Sequence, residues 1–524
     1  MSKRNISQVL SEAELSKGRG SSDFKRGRLD SEGSNSAIRS QKHTILPYPS
    51  LKPPSQPPKP TPFQKPAPLT TFSYDASHQL HFDDSALRYY IPPPLPTPQS
   101  RPGNNSSHYS ADLGVDLGYG YERWIRRPEE RSRIDSLLRA VERVTGLGNG
   151  SSDGTGKMEK MKLSDVGVVA WRGVITRILT APYEDNPRET WDMNVMLVNG
   201  TLYLEEHRSE EMIIEKNNIK PHHRKMMYYG YAFESYCTTD APPPEQSGLH
   251  SESQRTSSSS TRGAGLNSGH SHPSGWGGDV DTNVQWCSIV RTKLGDTKFI
   301  IGGEVDCVEG EYNGMSTDNF VELKTSMAIR GAVDEAKFEK KLLKFYFQSF
   351  LLGVPKIIVG FRSPNGHLTT TQTFQTMYIP RLLREKANTN LNGPNANAAN
   401  AWNPSLCLDW CHNFLTSLKQ TISSTNGREL KSASATESEG AAIWRVTFIP
   451  RQGAKIIKLD ELDSDGSAVK EIVNGEDRVG FLPRWYWDEV CNDDSGITVR
   501  DSTVGHGSGS VVPDQPRTVG GWQI

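Results

Sequence analysis

Two short apolar segments of this 524-residue chain carry acids where a packed strand has no room for free charge. They are Gly302-Gly303-Glu304-Val305-Asp306-Cys307-Val308 and Phe320-Val321-Glu322-Leu323-Lys324-Thr325. In a strand alternate residues share a face, so Glu304 projects with Asp306, and Glu322 with Lys324. If the two segments pair as a hairpin, three carboxylates and one ammonium converge. Desolvating an anion without a partner costs several kcal/mol, and like charges side by side add to the cost. A fold that gathers these acids around a cation satisfies both segments at once.

The rest of the chain limits how large that fold can be. An apolar fraction of 35% and a mean hydropathy of -0.59 are low for a chain packed throughout. Ten of the 33 prolines fall between Pro47 and Pro68, so residues 1–68 are read as a basic, Pro-rich disordered tail. Low-complexity insertions are expected at 241–279 (Ser, Gly and His), 388–401 (Asn and Ala) and 422–440 (Ser, Thr and Glu), with a second disordered tail at 494–524. A single catalytic domain over 69–493 is the expected remainder. No apolar run reaches 18 residues and no apolar segment follows the first methionine, which predicts a soluble intracellular protein without a membrane span. Six cysteines with no paired framework fit a reducing compartment. The basic clusters Lys3-Arg4 and Lys25-Arg26-Gly27-Arg28 fit a nuclear import signal or a solvated tail. With a net charge of -1, nucleic-acid binding would need a local basic groove.

Periodicity supplies the framework. Helical spacing of Ile134, Leu137, Leu138 and Val141 predicts an amphipathic helix over Arg123 to Val144, its arginines turned outward. Val168 to Leu179 reads as strand, bent at Trp171-Arg172-Gly173. Trp191 to Val198 and Thr201 to Glu205 read as a hairpin turning at Asn199-Gly200. A helix from Met226 to Cys237 carries Phe233 and Glu234. Strands are expected at Val284 to Lys293, Lys298 to Ile301 and Lys356 to Phe361, with a helix over Glu335 to Leu352 that sets Lys344 and Gln348 one turn apart. The order of elements predicts an α/β, mixed α+β, core of mixed sheets with flanking helices.

Clustered carboxylates on apolar strands call for a hard divalent cation such as Mg²⁺ or Mn²⁺. Two such ions polarise a phosphoryl oxygen and acidify a bound water. Lys324 stands two residues beyond Glu322, where an ammonium can steady developing charge. An acid followed at short distance by Glu-x-Lys marks a large class of metal-dependent nucleases; the bland alternative is a salt-bridged surface hairpin. Arg172 needs an anion, either a structural carboxylate or a substrate phosphate. Cys407, Cys411 and His412 lie off zinc-finger spacing on an apolar helix, Ser405 to Ile422, and read as core. Trp485-Tyr486-Trp487 reads as a closing strand.

Five ordered motifs carry a family resemblance: Ala170-Trp171-Arg172-Gly173, Gly230-Tyr231-Ala232-Phe233-Glu234, Gly303-Glu304-Val305-Asp306-Cys307, Phe320 to Ser326, and Lys341-Leu342-Leu343-Lys344 through Gln348-Ser349-Phe350-Leu351. Together they resemble the DXO-type decapping nucleases, a family that includes a fungal nuclear protein partnering the nuclear 5′ to 3′ exoribonuclease. The resemblance runs from about Phe72 to about Glu489 and implies a core related to the Asp/Glu-x-Lys metal-dependent nucleases. It implies ligation of two metal ions by Glu234, Glu304, Asp306, Glu322 and the Leu323 carbonyl. It sets Arg172, Lys324 and Gln348 against the phosphates or the nucleophile, and Met227 and Cys287 near the RNA. The implied activity is removal of incomplete or non-canonical caps, NAD included, and of pyrophosphate from 5′-triphosphate RNA, with 5′ to 3′ exonuclease action in some members. An outer substrate contact that is often basic in the family falls near His78. Two further readings stand beside it: a stabilising partner of an exoribonuclease, and a DNA endonuclease, for which no duplex-reading motif is present.

Overall fold

In a computed structural model, the described residues are 44–49, 59–96, 114–146, 162–242, 272–390, 402–429, 442–462 and 466–493. The basic clusters near Lys3 and Lys25 and the 494–524 segment lie outside them. The strands are β1 (Thr44–Pro47), β2 (Ala67–Tyr74), β3 (Leu80–His81), β4 (Tyr89–Tyr90), β5 (Val168–Trp171), β6 (Trp191–Val198), β7 (Thr201–His207), β8 (Thr238–Thr239), β9 (Gln285–Leu294) and β10 (Thr297–Glu304). They continue as β11 (Cys307–Val308), β12 (Phe320–Met327), β13 (Lys356–Arg362), β14 (Leu368–Gln375), β15 (Trp444–Ile449) and β16 (Gly453–Lys458). Five helices surround the acidic segments or lead into them: α1 (Asp135–Thr145), α2 (Arg172–Thr180), α3 (Glu210–Asn217), α4 (Pro221–Tyr236) and α5 (Ala332–Leu352).

Two mixed sheets organise the chain. The first has ten strands in the order β1-β16-β15-β6-β7-β5-β10-β9-β2-β3, and the second has six, β14-β13-β12-β11-β4-β8. Parallel pairs β5/β7 and β5/β10 sit in the middle of the first sheet, and β12/β13 in the second. Such pairs need both faces covered, and Val168, Val169, Ala170, Ile300 and Ile301 are accordingly buried. The mixed α+β architecture is the one expected. α5 carries Leu342, Phe347, Phe350 and Leu351 into the core from one side, and α4 packs Phe233 against Leu323 and Ile358 from the other. That second contact requires Gly360, where a Cβ would stand 2.5 Å from the Phe233 ring.

The β6/β7 hairpin turns at Asn199-Gly200, both at positive φ, as two-residue turns of this kind demand. Elsewhere the structure departs from the sequence reading. The helix expected from Arg123 begins only at Asp135, because Pro128 removes a donor and biases Arg127 away from helical geometry. Arg131 and Arg133 instead reach the Glu471 and Ile472 carbonyls. The strand expected through Leu179 ends at Trp171, and the buried residues Val174, Ile175, Ile178 and Leu179 follow helix spacing on α2. Trp485 to Trp487 lie on a helix, Arg484–Asp493.

Three segment boundaries also shift. Residues 1–68 are not tail throughout, since β1 pairs along its whole length with β16 and Phe63 is buried. Trp276, inside the expected 241–279 insertion, packs on Tyr236 and Tyr119. The helix Pro404–Glu429 runs on past the expected start of the 422–440 insertion, while residues 391–401 and 430–441 lie outside the described ones. Cys407 and Cys411 are buried free thiols, as expected of core residues.

Candidate active site

The two acidic segments do not form one long hairpin. β10 belongs to the first sheet and ends at Glu304, whereas Cys307 and Val308 pair with Val321 and Phe320 in the second. Glu304, Val305 and Asp306 therefore mark the crossing from sheet to sheet, fixed by a Val305 N–H donated to the Trp286 carbonyl at 3.0 Å. β12 then presents Glu322, Leu323 and Lys324 beside this crossing. α4 brings Glu234 to the same place from its last turn.

The polar contacts close a cluster. Lys324 Nζ lies 2.6 Å from Glu322 Oε1 and 3.4 Å from Asp306 Oδ2, and it donates to the Leu323 carbonyl at 3.0 Å. The Leu323 N–H donates to Asp306 Oδ2 at 2.6 Å. Arg172, first residue of α2, donates through Nη1 to Glu322 Oε2 at 3.0 Å and to the Gln348 carbonyl at 3.4 Å. β10 passes close beneath this guanidinium: a Cβ at Gly303 would meet Arg172 Cβ at 3.0 Å and Leu352 Cδ1 at 2.9 Å.

Charge here is crowded and dry. Glu322 is fully buried, with Arg172 and Asp306 nearly so. Burial and then the Asp306 charge push Glu234 well above the carboxylate range, and burial with Asp306 raises Glu304 to about 7. Burial raises Asp306 as well. Burial works against ionising Glu322 too, but Arg172 and Lys324 overcome it and hold that carboxyl down. Lys324 keeps its proton despite burial because Asp306 and Glu322 flank it. With every acid ionised, four carboxylates face two cations, an arrangement that is two positive charges short.

A cavity of about 900 Å³ opens onto this cluster, in the size range of ligand sites. Glu234, Glu304, Asp306 and Cys287 line it together with Tyr231, Trp171 and His78. Cys287 stands opposite Glu304 in the β9/β10 register. His78 stacks on Tyr74 with ring centroids 3.9 Å apart. Met227 is exposed on α4, seven residues before Glu234 and on the same helical face. Gln348 joins the cluster through its main-chain carbonyl, its side chain half-buried.

Do these residues suit a metal? Among the described residues no three acid, imidazole or thiol side chains enclose a single point as a ready cage. The donor chemistry nevertheless fits a hard divalent cation: Asp306 Oδ2, Glu322 Oε1 and the Leu323 carbonyl already converge on one cation, the Lys324 ammonium. Glu322 Oε1 is buried and takes no hydrogen bond of good geometry, only that ion pair. One contributor escaped the sequence reading: Gln285 Nε2 donates to Glu304 Oε2 at 3.1 Å. Sharing a strand face with Cys287 set it toward the site, but the contact follows only from the pairing of β9 with β10.

Two mixed sheets that meet at an acid and a Glu-x-Lys pair, flanked by helices, define the PD-(D/E)XK class of nuclease. The finer grouping comes from comparison. Residues 64–487 match the family described as RAI1 like PD-(D/E)XK nuclease, and the chain belongs to that family. It is 35% identical over 472 residues to "Decapping nuclease RAI1" of Mycosarcoma maydis, covering 82% of this chain and 88% of that one. It is 33% identical to the human "Decapping and exoribonuclease protein", covering 69% of this chain and 76% of the relative. Among solved structures, Candida albicans Rai1 in complex with pU5-Mn²⁺ shares the fold at a TM-score of 0.59, with 22% identity over 86% of this chain and 99% of that one. The protein is therefore a hydrolase of the nuclease type.

Proposed function

We propose that this chain is a divalent-metal hydrolase of RNA 5′ ends, removing incomplete or non-canonical caps and releasing pyrophosphate from 5′-triphosphate RNA. The observation that carries the reading is the buried cluster of Glu234, Glu304, Asp306 and Glu322 around Lys324, opening into a cavity of about 900 Å³. The names of the relatives, decapping nucleases in fungi and in mammals, agree with it.

In this reading Glu234, Glu304, Asp306, Glu322 and the Leu323 carbonyl would hold the metal, Mg²⁺ or Mn²⁺ and two ions in all. When bound, such a cation supplies Lewis-acid polarisation of the phosphoryl group and acidifies a water. The chain supplies the rest. Lys324 keeps a fixed positive charge where negative charge develops, in a site dry enough for that charge to count. Arg172 holds Glu322 in one orientation by its Nη1 hydrogen bond, and Gln285 does the same for Glu304. Gln348 takes the substrate-side position beside Arg172. Met227 and Cys287 border the RNA. The reading extends to a nuclear location and to a nuclear 5′ to 3′ exoribonuclease as protein partner, which imaging and co-purification test.

The deciding experiment incubates wild type and Glu322→Ala with Mg²⁺ or Mn²⁺ and 5′-labelled triphosphate, unmethylated-cap and monophosphate RNAs. Release of pyrophosphate or a cap dinucleotide by wild type alone is expected. No release from any RNA would leave the exoribonuclease-partner role as the better account.

A further inference from the structure

The helix that ends just past Glu234 begins in a block of positive charge. From Lys216 to Phe233 the chain has no acid, while it carries Lys216, Lys220, His222, His223, Arg224 and Lys225. All but Lys216 are exposed. For a protein of net charge -1 this is a strong local excess. Helical spacing aligns Lys220, His223, Met227 and Glu234 on one face of α4, with Arg224 on its flank and Lys225 on the opposite side, so Lys220 and Arg224 lead into the stripe that ends at the acidic cluster. The stripe is not loose. Arg224 is held over the rings of Trp124 and Tyr121, 5.4 and 5.9 Å from their centroids. Arg126, from the neighbouring loop, adds another guanidinium by donating to the Lys216 carbonyl at 3.2 Å.

A basic face on its own is usually just solvated. Here a second cation lies underneath it. Arg362, 5% exposed at the end of β13, donates to Met327 Sδ at 3.0 Å, to the Ser363 carbonyl at 3.4 Å and to Met226 Sδ of α4 at 3.4 Å. Its guanidinium sits over the Tyr229 ring at 4.9 Å, and among the described residues its Nε has no partner. Among those residues no carboxylate pairs with it either. A buried guanidinium is ordinarily matched by an anion, because thioethers and a ring compensate its desolvation poorly. The field it leaves unneutralised adds to that of the exposed lysines and arginines above it.

We propose that the N-cap and first turn of α4 form the track for the RNA chain 3′ of the hydrolysed end, with Lys220 and Arg224 contacting successive phosphates. The proposal rests on the RNA 5′-end reading given above, and it extends that site outward past Met227. A single-stranded polyanion fits better than an acidic protein surface because the stripe is continuous with the catalytic acids on the same helix. Contacts of this kind are sequence-independent and release counterions.

The test compares wild type with Lys220→Gln/Arg224→Gln, and with Lys220→Gln alone in case the double variant folds poorly. The substrates are a 5′-triphosphate oligouridylate of about 20 nucleotides and one of about two, assayed across a salt series. Wild type should favour the longer RNA, and the double variant should lose that preference. The slope of log KM against log salt should become shallower by about 1.4 in the double variant and by about 0.7 in the single one, since each phosphate contact on a single strand contributes about 0.7. An unchanged slope and length preference would overturn the track; if capture of the exoribonuclease fell at the same time, the face would be a protein-docking surface instead. Should wild type hydrolyse neither RNA, the enzymatic reading fails separately, and fluorescence anisotropy of the labelled longer RNA with both proteins still decides the track.

Discussion

Glu205 offers a sharp test of how this fold handles buried charge. It sits on β7, 3% exposed, where Oε2 accepts the Ile134 N–H at 3.1 Å and Oε1 lies 3.6 Å from Arg133 Nη1. Burial pushes its carboxyl from 4.5 up to about 8; Arg133 and Arg478 work against that shift and Asp135 adds to it. The folded state therefore holds this proton more tightly than the unfolded chain does. The associated stability is fully present below the unfolded pKa and is lost as pH rises through the folded one. At about 1.4 kcal/mol per unit, the shift costs wild type about 3 kcal/mol more at about pH 8.5 than at about pH 5.5. Glu205→Gln keeps an oxygen for the Ile134 N–H and cannot ionise. Urea unfolding of both proteins at the two pH values should show the variant gaining about 3 kcal/mol on wild type as pH rises. A gap that stays constant, or that shifts towards wild type, would refute the assignment of a raised pKa to Glu205, because every other titrating group cancels in the comparison.

Two further outcomes are expected at the site. Mn²⁺ at about 100 times its Kd should stabilise wild type by about 2.7 kcal/mol through mass action, while Asp306→Ala should show no metal-dependent rise in thermal midpoint; an equal rise in both would remove Asp306 from the metal set. Gly303→Ala should lower stability by about 1–3 kcal/mol by overpacking and depress kcat further by displacing Arg172; with Leu352 and Arg172 atoms at 2.9 and 3.0 Å from the new Cβ, an unperturbed thermal midpoint would show that the strand has slack there.

The acids were legible in the sequence because strand alternation and the cost of burying charge both point at residues such as Glu322 and Lys324. What alternation could not convey was that Glu304 and Glu322 belong to different sheets: a period of two sets faces, not strand partners. Glu234 had no such signal, since a single acid on a helix reads like any other, and only the family resemblance tied it to the rest. The misread helix start before Asp135 came from apolar spacing that began beyond Pro128, so the proline outweighed the arginines around it. In the same way Trp171 hid a change of period, from two along β5 to 3.6 along α2, within a few residues. Gln285 was missed because amides on strands are common and its role appears only once β9 lies beside β10.

β1 bears on how the protein can be shortened. Four residues from the proline-rich stretch cover the outer ladder of β16, and Tyr48 secures them by donating to the Pro182 carbonyl at 2.6 Å. Strand β1 is itself a poor template for further pairing, being short and ending in Pro47, which has no N–H to offer. A chain begun after residue 59 would expose the β16 ladder instead, with Ile456 and Ile457 beside it. Such a protein would keep every catalytic side chain, and light scattering is expected to show it associating edge to edge where the full chain does not; an unchanged mass would mean the uncovered ladder is harmless.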